Sequence, residues 1–199
     1  NIKKQDERYK RYILLQVLSS VVSGIMIVSG VLMFVFGNYE IAGTELAGQY
    51  DLFVSYCDKG DTVNAERLGA DLLNNSKYRS VMTDKTTAEI LRYMGDCYFD
   101  EGDFANAVEN YKSAYEIADD DNAEVCLRDY AIALVKGKRF SVAQSVISMA
   151  EEKFPNSSVN KLLQAEIEYE NGNLENSLNY ANECLNTESN GDNAFAAFL

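Results

Sequence analysis

Residues 88–121 read AEILRYMGDCYFDEGDFANAVENYKSAYEIADDD, and their spacing decides the fold. Large apolar and aromatic residues recur at helical intervals on both sides of Gly102–Asp103: Leu91, Met94 and Tyr98 before it, Phe104, Tyr111 and Ile117 after it. A period of three to four residues broken by a glycine turn predicts two antiparallel helices joined by a short loop. Gly95 and Ala107 are placed where the two helices come closest, because only small side chains let backbones approach. Ala114 continues the small-residue side of the second helix. One such hairpin cannot bury its own apolar face, so neighbours must stack on it.

The next window supplies such a neighbour. Across 124–157 the same places hold Leu127, Ala131, Leu134, Phe140, Ala143, Ile147 and Ala150, and Pro155 falls where the second helix must stop. The stretch 88–121 therefore resembles a tetratricopeptide (TPR) repeat, a helix–turn–helix unit of ~34 residues. The third window departs from that pattern in its turn, LVKGKRF, whose glycine comes one place early. A degenerate first repeat spans about 46–77, with Leu52 and Tyr56 ahead of Gly60–Asp61 and Ala65, Gly69 and Leu72 behind it. The window 158–191 fits through Ala165, Gly172, Asn173, Leu174, Ser177, Ala181 and Cys184, although Lys161 and Gln164 stand where large apolar residues are expected. Residues 74–87 are too polar and too long for an ordinary inter-repeat turn, and read as an irregular loop or a short extra turn of helix. The tail DNAFAAFL opens a further helix at 192, too short to cap the stack, so more chain or a partner is expected to cover that end.

Ahead of the repeats, residues 13–36 (ILLQVLSSVVSGIMIVSGVLMFVF) carry no charge. As a helix they would span roughly 36 Å, enough to cross a bilayer with some tilt. A cleavable signal peptide is the rival reading, but the run is long and GNYEIAG offers no good A-x-A site, so an uncleaved signal anchor is expected. The flank before it is basic, and no Lys or Arg follows it until Lys59. The positive-inside rule then places the N-terminus in the cytoplasm and the repeats across the membrane, in a bacterial periplasm or an equivalent space. Within the span Ser19, Ser20, Ser23 and Gly24 form two overlapping small-xxx-small pairs, a packing face for other membrane subunits. Ser and Gly are also simply common in membrane helices. The expected architecture is all-α: a basic tail 1–12, a transmembrane helix 13–37, a linker 38–47, and a TPR helical-hairpin solenoid over 48–199.

Composition narrows the function. Five basic and two acidic side chains leave residues 1–12 at +3 of a total of −13, so the remainder carries −16. A domain this acidic argues against nucleic acid as a partner. Histidine is absent, which removes the commonest catalytic base and metal ligand. There is no Ser/His/Asp set, no phosphate-binding glycine loop, and no EF-hand spacing around Asp119, Asp120 and Asp121. No enzyme activity, cofactor or metal is expected. The four cysteines, at 57, 97, 126 and 184, contain no C-x-x-C and read as buried thiols, with a Cys97–Cys126 bridge as the alternative in an oxidising space.

The TPR resemblance implies a concave face lined by the first helices. At the repeat positions that usually point into it stand Glu89, Arg92, Asp96, Phe99 and Asp100, then Val125, Arg128, Ile132, Val135 and Lys136, then Val159, Leu162, Glu166, Tyr169 and Glu170. Mixed charge with apolar and aromatic groups suits an extended or helical peptide segment of another protein. Chaperone-binding TPR domains grip a terminal carboxylate with Lys and Asn at places that here hold Arg92, Asp96 and Asp129, so a carboxylate clamp is not expected. The layout, anchor then repeats, is similar to bacterial inner-membrane proteins of the YfgM type, which associate with the Sec translocon and periplasmic chaperones. The expected function is a scaffold or adaptor at the outer face of a membrane, as a complex subunit or a translocon-associated tether. The alternatives are an organelle import receptor with cytosolic repeats and an accessory subunit of a membrane enzyme complex.

Overall fold

Helices begin where the sequence supplies caps. The side chains of Asp61, Thr83, Asp103 and Asp119 each accept the backbone N–H three residues on and open a helix. At three of them an asparagine returns its side-chain amide to the capping aspartate: Asn64 and Asn106 at 2.7 Å, Asn122 at 2.6 Å. The computed structural model describes residues 2–155 and 157–188, and among these every regular element is helical. They are α1 (Ile2–Asp58), α2 (Thr62–Asn74), α3 (Ser76–Arg79), α4 (Asp84–Asp100), α5 (Phe104–Ile117), α6 (Asp120–Lys136), α7 (Phe140–Lys153), α8 (Ser158–Glu170) and α9 (Leu174–Glu188). The chain divides into two units, Asn1–Ala47 and Gly48–Leu199.

The first unit is helix throughout its described length. From 14 to 36 every residue is exposed, Met33 at 76% and Phe34 at 71% among them. Residues 38–47, expected as a linker, are also helical. The segment has no proline, and the Thr44 hydroxyl donates back to the Glu40 carbonyl at 3.0 Å, so nothing there interrupts the backbone ladder. The further helix expected at 192 lies outside the described residues.

In the second unit, the end of α1 with α2, then α4–α5, α6–α7 and α8–α9, follow one another as hairpins. A core shared by α5, α6, α7 and α8 runs through Val108, Leu127, Leu134, Ile147, Leu163 and Ile167, all essentially sealed from solvent. Each such side chain contributes about 2 kcal/mol on burial. The segment 74–87 contains the short helix α3, which seats Tyr78 at 5% exposure. At Gly95 the close approach is to Tyr111 rather than to Ala107: a Cβ there would lie 2.6 Å from the Tyr111 ring. In the weak fourth repeat, polar contacts replace the missing apolar ones. Lys161 Nζ and Gln164 Nε2 reach Glu151 of α7 at 2.9 and 3.2 Å, and Lys161 also reaches Glu183 of α9 at 3.5 Å.

The irregular third turn has a simple geometry. Gly60, Gly102 and Gly172 hold the left-handed turn position at φ +67°, +77° and +80°, and Lys138 holds it in the third hairpin at φ +57°. The residue after it has nearly the same backbone in each case: φ −81°, ψ 70° at Asp103 and φ −89°, ψ 53° at Arg139. Gly137, one place early, serves packing instead. A Cβ there would lie 3.1 Å from the Ala133 carbonyl oxygen and 3.2 Å from Phe104 Cβ.

Candidate functional site: the face of the first helices

Helices α4, α6 and α8 adjoin one another, and α2 also packs on α4. Their polar side chains tie one hairpin to the next. The Tyr50 hydroxyl donates to Glu89 at 3.0 Å, joining the first hairpin to the second. Arg92 of α4 reaches Asp129 of α6 at 3.5 Å and its own-helix Asp96 at 3.5 Å, with its guanidinium 5.1 Å from the centre of the Tyr93 ring. Arg128 adds two N–H contacts to Asp129 at 3.2 Å. Lys136 of α6 meets Glu166 of α8 at 2.7 Å, and Lys138 meets Glu170 at 3.2 Å. Thus Glu89, Arg92, Asp96, Arg128 and Lys136, read from the sequence as partner-facing, are all engaged within the protein.

The apolar members behave differently. Phe99 lies edge-on to Phe104 with ring centres 5.3 Å apart, and it is half-buried. Ile132 is half-buried against the core, Leu162 is half-buried, and Tyr169 is 63% exposed. Val135, expected on this face, is instead buried at 3% and belongs to the core. The last turn of α6 packs so closely, with Leu134 and Ala133 equally sealed, that this valine has no route to solvent.

Burial governs the charges at the centre. It raises the Asp129 carboxyl above its ordinary 3.8, against the opposing pull of Arg128 and Arg92. Asp96 is raised the same way, although the Tyr111 hydroxyl, which donates to it at 2.7 Å, and Arg92 oppose the shift. At Arg92, burial lowers the guanidinium, but Asp96 and Asp129 outweigh it and the net shift is upward. Two guanidiniums and two carboxylates share this cluster. A terminal carboxylate could bind Arg92 only by displacing Asp96 or Asp129.

Beside the cluster lies an open cleft of about 360 Å³, lined by Cys57, Thr62, Tyr93, Asp96, Cys97 and Glu101 among others. The Thr62 hydroxyl donates to Glu101 across it. Cys57 and Cys97 both line it, each one helical turn beyond the edge-on ring pair Phe53–Tyr93, whose centres are 6.2 Å apart. The sequence reading, buried thiols, offered Cys126 as the alternative bridge partner of Cys97; the cysteine that shares its cleft is Cys57, on the preceding hairpin. None of the four cysteines is in a disulfide. Cys126 is buried at 1%, and that burial pushes its thiol up to about 11. Cys184 is equally buried. Aligning the first repeat on the second would have brought Cys57 near Cys97, but the first repeat is degenerate and its cysteine carries no motif.

On the apolar segment, Ser19, Ser20, Ser23 and Gly24 are exposed, and a Cβ at Gly24 would meet nothing within 4 Å. The Ser20 hydroxyl is satisfied within its own helix by the Gln16 carbonyl at 3.0 Å. Among the described residues, no group of three or more Cys, Asp or Glu is placed to hold a metal ion.

No curated protein matches the chain. Residues 98–167 match the tetratricopeptide repeat family, a stretch that runs from the last turn of α4 through α5, α6 and α7 into α8. The helical hairpins over 98–167 are therefore similar to tetratricopeptide repeats.

Proposed function

We propose that this protein is a membrane-anchored scaffold: residues 13–37 cross a bilayer, and the repeats hold partner proteins at its extracytoplasmic face. The observation that carries this reading is the joining, in one chain, of a wholly exposed apolar helical run with tetratricopeptide-type repeats. The run is long and apolar enough to cross a membrane, with mean hydropathy 2.2 in its best window and none of that window buried. Water would penalise so much exposed hydrocarbon, and lipid would not. The basic flank before the run, with no Lys or Arg after it until Lys59, supports an N-terminus in the cytoplasm. The layout shared with YfgM-type proteins supports a bacterial inner membrane, with either a translocon-associated tether or a fixed complex subunit as the role. Ser19, Ser20, Ser23 and Gly24 are the surface through which membrane subunits would pack.

On the repeats, the partner's apolar side chains meet Phe99, Ile132, Leu162 and Tyr169, while Arg92, Asp96, Arg128 and Lys136 frame them as charges already paired and Glu89 holds the Tyr50 hydroxyl. That arrangement selects a peptide or helix by shape and apolar fit rather than by one dominant ion pair. The test is photocrosslinking in membranes of the native host. A photoreactive residue at Phe99, Leu162 or Tyr169 should give adducts of one size, while one at Glu109 or Ser145 on the second helices should not. Equal adducts from both sets would refute the face. Release of the full chain from membranes by alkaline carbonate would refute the anchor.

A further inference from the structure

Beyond the scaffold reading, and independent of it, the cleft between the first two hairpins carries a chemical prediction. Cys57, on the last turn of α1, and Cys97, on α4, come from separate hairpins, yet they share one cleft wall, each one helical turn beyond the Phe53–Tyr93 ring contact at 6.2 Å. Both line the same open cleft, so a small molecule in solution reaches them. Cys57 is half-buried and Cys97 is 8% exposed, against 1% for Cys126 and for Cys184. The cleft wall also carries Asp58, Asp96, Asp100 and Glu101, and no basic side chain lines it. Arg92 offsets Asp96, which leaves three uncompensated carboxylates.

We propose that Cys57 and Cys97 form a reversible intrachain disulfide by exchange with a disulfide-bearing oxidant, and that the acidic cleft selects neutral or cationic oxidants over anionic ones. One of the two thiols ionises while its neighbour stays protonated, since the thiolate is the nucleophile. That thiolate attacks one sulfur of the oxidant, forming a mixed disulfide and expelling the first leaving thiolate, which takes up a proton. The second thiol then loses its proton and attacks the protein sulfur of the mixed disulfide. The protein disulfide forms and the second leaving thiol departs. The protein loses two S–H hydrogens, and the oxidant is reduced by two electrons to two thiols. The bond ties the end of α1 to α4, so oxidation fixes the first hairpin on the second. Negative charge in the cleft raises the local concentration of a cationic oxidant and lowers that of an anionic one.

The test uses the full-length chain in detergent micelles, with cystamine as the cationic oxidant and oxidised glutathione as the anionic one. Peptide mapping should find Cys57 linked to Cys97, with a loss of about 2 Da that dithiothreitol reverses. Cys57→Ser and Cys97→Ser should each stop at a mixed disulfide on the remaining thiol of the pair. Cystamine should react roughly tenfold faster than oxidised glutathione at low salt, and that advantage should fall below about twofold at ~0.5 M salt. Cross-links only through Cys126, or only between chains, would overturn the pairing. A cystamine rate no greater than that of glutathione at low salt would overturn the charge selection.

Discussion

Gly95→Ala tests whether the Tyr111 ring is what shapes the second hairpin. In a free helix the change would stabilise by about 1 kcal/mol. Here the new methyl would lie 2.6 Å from two ring carbons of Tyr111, a side chain only 3% exposed. Overpacking of this kind costs about 1–3 kcal/mol. If the ring moves to relieve it, the hydroxyl leaves Asp96 Oδ1, now 2.7 Å away, and a hydrogen bond to a charged group worth about 1.5–3 kcal/mol is weakened. The net expectation is a loss of about 2–4 kcal/mol. With Tyr111→Ala already in place the obstacle is gone, so adding Gly95→Ala should stabilise by about 1 kcal/mol. Tyr111→Phe separates the contributions, because it keeps the ring and removes the bond to Asp96. Urea titration of the full chain in micelles, followed by circular dichroism, gives the totals. Hydrogen exchange at α4 and α5 amides locates the effect, which matters because repeat stacks can open in part. A Gly95→Ala penalty as large in the Tyr111→Ala background as in the native chain would refute the reasoning.

The third turn offers a repair: Lys138→Gly with Arg139→Asp should stabilise by about 1.5 kcal/mol in urea titrations, since glycine relieves the positive φ and aspartate restores the missing cap; no gain would mean the Lys138–Glu170 pair outweighs both. Asp129 should titrate above 3.8 in carbon-detected NMR. The sign follows from burial: the folded chain takes up that proton before the unfolded one does. The contribution of this group to stability is therefore fully present below 3.8 and is lost as pH rises through the raised value. Asp129→Asn should lack that component, and titration at or below 3.8 would refute the burial argument.

The hairpins were legible because their signals are local. Gly102 and its flanking apolar periods mark one turn and two faces within 34 residues, and the same spacing returns in the next window. Lys138 was legible only as an irregularity, because sequence shows that glycine is missing from the turn but not that the backbone keeps its left-handed conformation regardless. Residues 38–47, expected as a linker, show a related limit: spacing did not reveal that they are helical, although nothing there breaks a helix. Position within a repeat also failed at Val135, where the depth of packing at the end of α6 overrides the face that spacing assigns.

The charges on the first-helix face were harder still, and the reason bears on function. Spacing tells which residues share a face, but pairing depends on the next repeat, as with Arg92 and Asp129. Once paired, each such residue has two effects on a partner. It costs desolvation if covered, and it gives little new attraction because its field is already cancelled by its neighbour. A cluster with two guanidiniums and two carboxylates presents almost no net charge, although the domain around it is strongly acidic. On the proposed scaffold reading, affinity on this face comes from groups that remain underfilled, such as Tyr169 at 63% exposure and half-buried Phe99 and Leu162. The paired charges hold α4, α6 and α8 in fixed register, which sets the spacing at which those apolar groups are presented. On that same reading, partner choice is a matter of matching that spacing, and the acidity of the domain acts beforehand by repelling anionic surfaces.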